Sequence, residues 1–293
     1  MKRIDGQMRR SMAGWFDHRG MQATGQRASR WYKLALWVDP NWNSPWYNLG
    51  LEAKKKRSWE ESLRYNRRAA QLNPENEAAW WNLGIAATAL RDWAEARRAW
   101  EAYRVKLLSG SGEVTIKPVA GCVRLNPNHD GEVVWGDRLD PARFLILNIP
   151  LPESGHRFRD IELNDGEPTG TRVRDGRDFT VFDELEIWQP SSYSTFEAEI
   201  DIPGNSSEEQ LVEVCRRYQL GVEDWSTMRI LCETCSRGSP SPHNCDAATP
   251  SGIRRSYAFA AQSEEGLSYA LHEWTAITAG AAFGNLRLVL AAE

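Results

Sequence analysis

The stretch "PWYNLG" at residues 45–50 returns as "AWWNLG" at residues 79–84, 34 residues further on. Superposing the two pulls their neighbours into register: Trp46 falls on Trp80, Leu49 on Leu83, Gly50 on Gly84, Trp59 on Trp93, Asn66 on Trp100 and Ala69 on Tyr103. In the other direction Pro74 falls on Pro40 and Ala69 on Ala35, so a degenerate earlier copy covers about residues 9–42. Three copies of one unit therefore fill the first third of the chain.

The unit has the pattern of paired helices. In "SWEESLRYNRRAAQLNP" (58–74) the apolar residues Trp59, Leu63, Ala69 and Leu72 recur at intervals that give a helix one buried face. Gly50 and Gly84 remove a Cβ where the paired helix must cross. Pro40 and Pro74 end each second helix, because proline cannot continue the hydrogen-bond ladder. Ten of the 14 tryptophans lie in the first 100 residues, where they fill the space between stacked helices.

A 34-residue period carrying an aromatic, Leu-Gly, a second aromatic, a small Ala and a closing Pro resembles the tetratricopeptide repeat (TPR), over residues 9–105. The resemblance implies a curved stack whose first helices line a concave face that binds peptides or protein surfaces. On that face it places Tyr47, Asn48, Leu51 and Lys54 in the second unit, and Trp81, Asn82 and Ile85 in the third. Asn48 and Asn82 sit where repeats that hold a peptide's terminal carboxylate carry an asparagine, but "AAWWNLGIAATAL" lacks the accompanying cations. Neighbouring helical residues point about 100° apart, so Trp80 and Trp81 cannot both fill one interhelical core. Trp81 is expected to face the groove.

The net charge of −4 conceals an asymmetry. Residues 1–108 hold 20 Lys+Arg against 11 Asp+Glu, and the remainder holds 16 against 29. A basic front thus precedes an acidic back, which implies either a surface for acidic partners or two halves that attract each other. Five cysteines, an odd and scattered set, do not make a disulfide framework. The N-terminus has no apolar signal core, and no run approaches the ~18 apolar residues of a membrane span. A cytoplasmic protein without membrane partners is expected.

After the Gly/Ser linker in "LLSGSGEV" the texture changes to strands. "EVVWGDRL", "RFLILNI", "RDIELN", "TRVRD" and "FTVFDELEIW" alternate with turn signals at Asp130-Gly131, Asp165-Gly166 and Asp175-Gly176, predicting an antiparallel β module over residues 113–192. Alternation places Asp160 and Glu162 on one strand face, read as the wet one, and Asp165 in a turn. His129 and His156 lack a nucleophile at readable spacing and are taken as loop residues.

Residues 193–293 read as strand "TFEAEIDIP", helix "SSEEQLVEVCRRYQL" capped by Ser207, strands "STMRILCE" and "RSYAFAAQ", helix "SEEGLSYALHEWTAITAG" and strand "NLRLVL". The order βαββαβ is ferredoxin-like. The whole chain is therefore an α+β multidomain protein: a TPR-like helical array at 1–108, the β module, and a ferredoxin-like domain. Between the two middle strands, "LCETCSRGSPSPHNCD" offers Cys232, Cys235, His243 and Cys245, enough for one tetrahedral structural zinc ion. A redox pair and an unmetallated loop of reduced thiols are the alternatives.

No Ser/His/Asp spacing, GxxxxGK[ST] loop or HExxH helix occurs. The pattern is that of a non-enzymatic protein-protein interaction module, a TPR adaptor with an acidic C-terminal body. A toxin-neutralising immunity protein or a chaperone would suit it, since acidic surfaces meet basic partners through steering. The alternatives are a nucleic-acid binder using the Cys/His loop as a zinc knuckle, disfavoured because that loop lies in the acidic half, and a metal-dependent hydrolase.

Overall fold

The computed structural model describes residues 6–129, 131–227 and 254–292. The chain divides into two compact units: Met1–Lys117 with Asp140–Ala142, and Pro118–Leu139 with Arg143–Glu293. The β module and the ferredoxin-like region therefore share one unit.

The first unit holds six helices: α1 (Gly6–Met21), α2 (Gly25–Val38), α3 (Asn43–Lys55), α4 (Trp59–Leu72), α5 (Glu77–Ala89) and α6 (Trp93–Ala102). They pair as α1/α2, α3/α4 and α5/α6, and several contacts recur at the 34-residue interval between the second and third pairs. Arg57 and Arg91 both take the left-handed conformation, at φ 56 and 58. Around them Ser58 N–H donates to Ala53 O, and Asp92 N–H to Ala87 O, so one helix-ending turn is built twice. Trp46 Nε1 donates to Pro40 O (2.9 Å), and Trp80 Nε1 to Pro74 O (2.8 Å). The prolines that end one helix thus accept the indole of the next. Asn76 and Asp92 cap α5 and α6 by accepting from Ala79 N and Glu95 N.

Gly50 and Gly84 are where the helices close in. A Cβ at Gly50 would lie 2.4 Å from the Asn66 amide, and one at Gly84 2.6 Å from the Trp100 ring. Asn66 and Trp100 occupy the same position in successive repeats, so a Cβ-less surface meets a large planar side chain each time. Both side chains are fully buried.

In the second unit five strands close a barrel: β1 (Val119–Leu125), β2 (Glu132–Arg138), β3 (Arg143–Ile146), β4 (Ile161–Arg174) and β5 (Arg177–Gln189). Successive strands pair antiparallel, as expected, but the seam between β1 and β5 is parallel, with Cys122 opposite Val181. Meandering strands alternate in direction, so the first and fifth must run the same way. Asp175 (φ 51) and Gly176 (φ 71) form the β4/β5 hairpin turn, with positive φ at both centres. Asp165-Gly166 makes no chain reversal. "RDIELN" and "TRVRD" are one strand, and Asp165-Gly166 lies within β4 between the register shifts at Asn164 and Pro168.

The second sheet comprises β6 (Ser194–Asp201), β7 (Gly221–Asp224), β8 (Arg254–Ala261) and β9 (Ala282–Leu290), in the antiparallel order β7-β8-β6-β9. Helices α7 (Asn205–Arg217) and α8 (Glu264–Ile277) supply Leu211, Val214, Leu267, Leu271 and Trp274 to its core. This is the expected ferredoxin-like order. Two details differ. Gly221–Asp224 forms a strand ahead of the expected "STMRILCE", whose Ser226 and Thr227 belong to a one-turn 3-10 helix and whose remaining residues lie outside the described residues. Gly204, not Ser207, is the N-cap of α7; Ser207 is buried, and its carbonyl accepts from Trp274 Nε1 (3.0 Å).

Gly84→Leu is expected to destabilise the helical unit by about 1–3 kcal/mol through overpacking against Trp100. Gly112→Ala, where a Cβ meets nothing within 4 Å, should be neutral. Equal denaturation midpoints for the two variants would show that Trp100 yields freely.

Candidate functional site

The seven expected groove residues do not form one open surface. Ile85 is fully buried, and Asn82 and Lys54 are nearly so. The cause on α5 is its composition. "EAAWWNLGIAATA" has no continuous polar face, and Ala79, Asn82, Leu83, Gly84, Ile85, Ala86, Ala87 and Thr88 are all buried. Asn48 is half-buried and donates through Nδ2 to Asp17 Oδ1 (3.3 Å) and Ser44 Oγ (3.4 Å). Its amide is thus committed to Asp17 of the preceding helix pair and to Ser44 on its own helix. Tyr47 packs on the Ala69, Ala70, Ala79 cluster beside Trp46 and Trp80. Leu51 remains half-buried.

Trp81 is placed differently from the expectation. Its ring meets Trp100 and Tyr103 edge-on, at centroid distances of 5.1 and 4.7 Å. It is therefore a packing residue between α5 and the end of α6. Trp80, equally half-buried, packs on the Ala69, Ala70, Ala79 cluster under the Arg98 guanidinium, 5.0 Å from the ring centre.

Large apolar side chains do reach solvent on the first helix pair. Met8, Met12 and Trp15 follow one stripe of α1, with the Arg19 guanidinium 5.1 Å from the Trp15 ring centre. On α2, Leu34 is 41% and Trp37 82% exposed. Trp15 touches Trp31 of α2 edge-on at 5.8 Å, joining the two stripes. Arg9, Arg10, Arg19, Arg27, Arg30 and Lys33 are all exposed around them. The one carboxylate of α1 and α2, Asp17, is buried and accepts from Ser44 Oγ at 2.7 Å. Arg30 and Lys33 also border a cleft of about 300 Å³ that reaches Leu49, Ala53, Lys56 and Tyr65.

The β module holds a second constellation. His156, in the turn before β4, meets Glu162 of β4 and Glu184 of β5, with one ligand atom of each within 4.8 Å of the others. His156 Nε2 lies 3.1 Å from Glu184 Oε1 and 3.7 Å from Glu162 Oε2, and all three side chains are buried. Ser154 O lies 2.8 Å from His156 Nδ1 and also accepts from Asn126 Nδ2 at 2.8 Å. Asn126 N–H donates to Glu184 Oε2 at 2.8 Å. Burial alone would push the His156 imidazole down, but the Glu184 carboxylate beside it outweighs this and raises its pKa above the ordinary value.

These positions correct the sequence reading. Asp160 and Glu162 are both fully buried, not on a wet face, and His156 is a buried residue of a shaped turn. Asp160 is held by the Arg157 and Ser191 N–H groups, each at 2.7 Å. Backbone donors rather than solvent satisfy it, which no alternation pattern reports. The expected zinc ligands Cys232, Cys235, His243 and Cys245 lie outside the described residues. Cys122 and Cys215 are free and buried, and burial pushes the Cys215 thiol up to about 12.

Glu132 lies near this cluster. Burial pushes its carboxyl up to about 7 from 4.5, the Leu151 N–H opposes the shift, Glu223 and Glu153 add to it, and His156 opposes it. A carboxyl whose folded pKa exceeds its unfolded one contributes stability below the unfolded value and loses it as pH rises through the folded value. Glu132→Gln should therefore match the parent chain near pH 4 and exceed its stability at pH 8 by on the order of 3 kcal/mol. Denaturant unfolding at the two pH values checks this, and a constant difference between the chains would show that Glu132 ionises normally.

No protein-family model matches the chain, and no curated protein matches it. Among solved structures, it is similar to the second TPR of Spaghetti (RPAP3) bound to the HSP90 peptide SRMEEVD, at 22% identity over 34% of this chain and 97% of that one, with a TM-score of 0.32. It is also similar to a hypothetical protein from Neisseria gonorrhoeae, at 13% identity over 61% of this chain and 98% of that one, with a TM-score of 0.26.

Proposed function

We propose that this is a non-enzymatic adaptor whose helical array binds an acidic segment of another protein through the outer face of its first helix pair. The observation that carries the reading is the set of exposed apolar residues Met8, Met12, Trp15, Leu34 and Trp37 on two helices that also carry six exposed cations and no exposed carboxylate. This is the composition of a contact surface with aromatic anchors and steering charges. The acidic second half suits by charge a basic partner, as a toxin-neutralising or chaperone-type protein would need. Among the described residues no helix is long and apolar enough to cross a membrane.

The test is capture of polypeptides from a lysate of the native host by the immobilised full chain and by two variants, Trp37→Ala and Arg30→Glu/Lys33→Glu. The same bound polypeptide should be acidic, release as salt rises, and bind each variant at least tenfold more weakly, with circular dichroism unchanged. Retention that neither variant alters would place binding elsewhere on the chain.

A further inference from the structure

His156 places a buried imidazole against two buried carboxylates from β4 and β5. Ser154 O can only accept, so the short Nδ1 contact of 2.8 Å fixes the proton on Nδ1. In a neutral ring Nε2 then bears a lone pair, yet it faces two carboxylates, Glu184 at 3.1 Å and Glu162 at 3.7 Å. Nε2 is buried, and its 3.1 Å approach to Glu184 is an ion-pair contact when the ring is charged, lying off the hydrogen-bond direction. One ligand atom from each of the three buried side chains thus lies within 4.8 Å of the other two.

The spacing fits a metal ion. Ligands bound at roughly 2.0–2.2 Å in a tetrahedral shell stand about 3.3–3.6 Å apart; the two Nε2–oxygen separations are 3.1 and 3.7 Å, and all three ligand atoms lie within 4.8 Å of one another. The supporting contacts fit as well. The Ser154 carbonyl orients the imidazole, and the Asn126 N–H, from a left-handed residue at φ 47, holds the other oxygen of Glu184. Metal-binding histidines and carboxylates are oriented in this way by their outer neighbours. The register shift between Leu163 and Asn164 accompanies the meeting of strands β4 and β5 at the site.

We propose that His156, Glu162 and Glu184 bind one divalent first-row transition-metal ion. One imidazole nitrogen with two carboxylate oxygens is a donor set for manganese, iron(II) or zinc. Three protein ligands leave a further coordination position for water or a partner's group. The site is separate in sequence from the Cys232, Cys235, His243, Cys245 motif, whose thiols favour softer ions.

The experiment uses the full chain carrying Cys232→Ser and Cys235→Ser, stripped with chelator and titrated with manganese chloride by calorimetry and electron paramagnetic resonance. One equivalent should bind, and Glu162→Gln and His156→Ala should each weaken binding at least tenfold. A second measurement does not require those variants to fold: zinc chloride added to the ¹⁵N-histidine-labelled chain should shift the His156 Nε2 resonance and leave Nδ1 protonated. Absence of binding by the folded chain, or a His156 that stays an imidazolium at saturating zinc, would overturn the proposal.

Discussion

The helical unit depends on the contact between a missing Cβ and a large planar group sixteen residues later, Gly50 beneath Asn66 and Gly84 beneath Trp100. The close approach it permits packs the two helices of a pair against each other, α3 on α4 and α5 on α6. The left-handed arginines at 57 and 91 and the indole-to-proline hydrogen bonds of Trp46 and Trp80 all recur at the same interval. A single geometric condition repeated along a chain produces a one-dimensional solid, in which each unit is held by its neighbours. The ends are where such a solid must meet either solvent or a partner.

The β module is organised by the opposite principle. Its core combines an apolar set, Val123, Leu125, Val134, Phe144 and Ile146, with deeply buried charge at Arg143, Asp160 and Glu162. Removing carboxylates from water is costly unless they are paired or accept hydrogen bonds. Asp160 meets that requirement with two main-chain donors, and Glu223 with the Ile149 N–H (2.7 Å) and the Asn148 amide (2.9 Å). Since Asn148 and Ile149 follow β3 and Glu223 lies on β7, the Glu223 contacts also tie barrel and sheet together.

What was legible in the sequence was whatever repeats or alternates. The period fixed the helix pairs, and alternation with Asp175-Gly176 fixed the long hairpin. The hidden part was whatever depends on the third dimension. Glu162 alternates like a solvent-facing residue, yet barrel closure carries it inside. His156 sits in a Pro/Ser/Gly turn that reads as a loop, and only the Ser154 carbonyl and two strands distant in sequence give it a role. Trp81 shows the limit of helical geometry: the 100° offset from Trp80 correctly separates the two rings, but it does not say which one finds aromatic company in Trp100 and Tyr103.

The parallel seam of the barrel has a consequence for how the chain leaves the ribosome. Each helix pair can close within its own 34 residues, as soon as that length has emerged. Cys122 must wait for Val181, 59 residues later, before its strand gains a second neighbour. At ordinary synthesis rates of roughly 5–20 residues per second, that leaves one side of β1 unpaired for roughly 3–12 s. Over that interval the nascent protein carries a finished helical unit joined to a half-built sheet. The short β3 and the polar residues flanking β1 then serve to keep an open sheet from pairing with another chain.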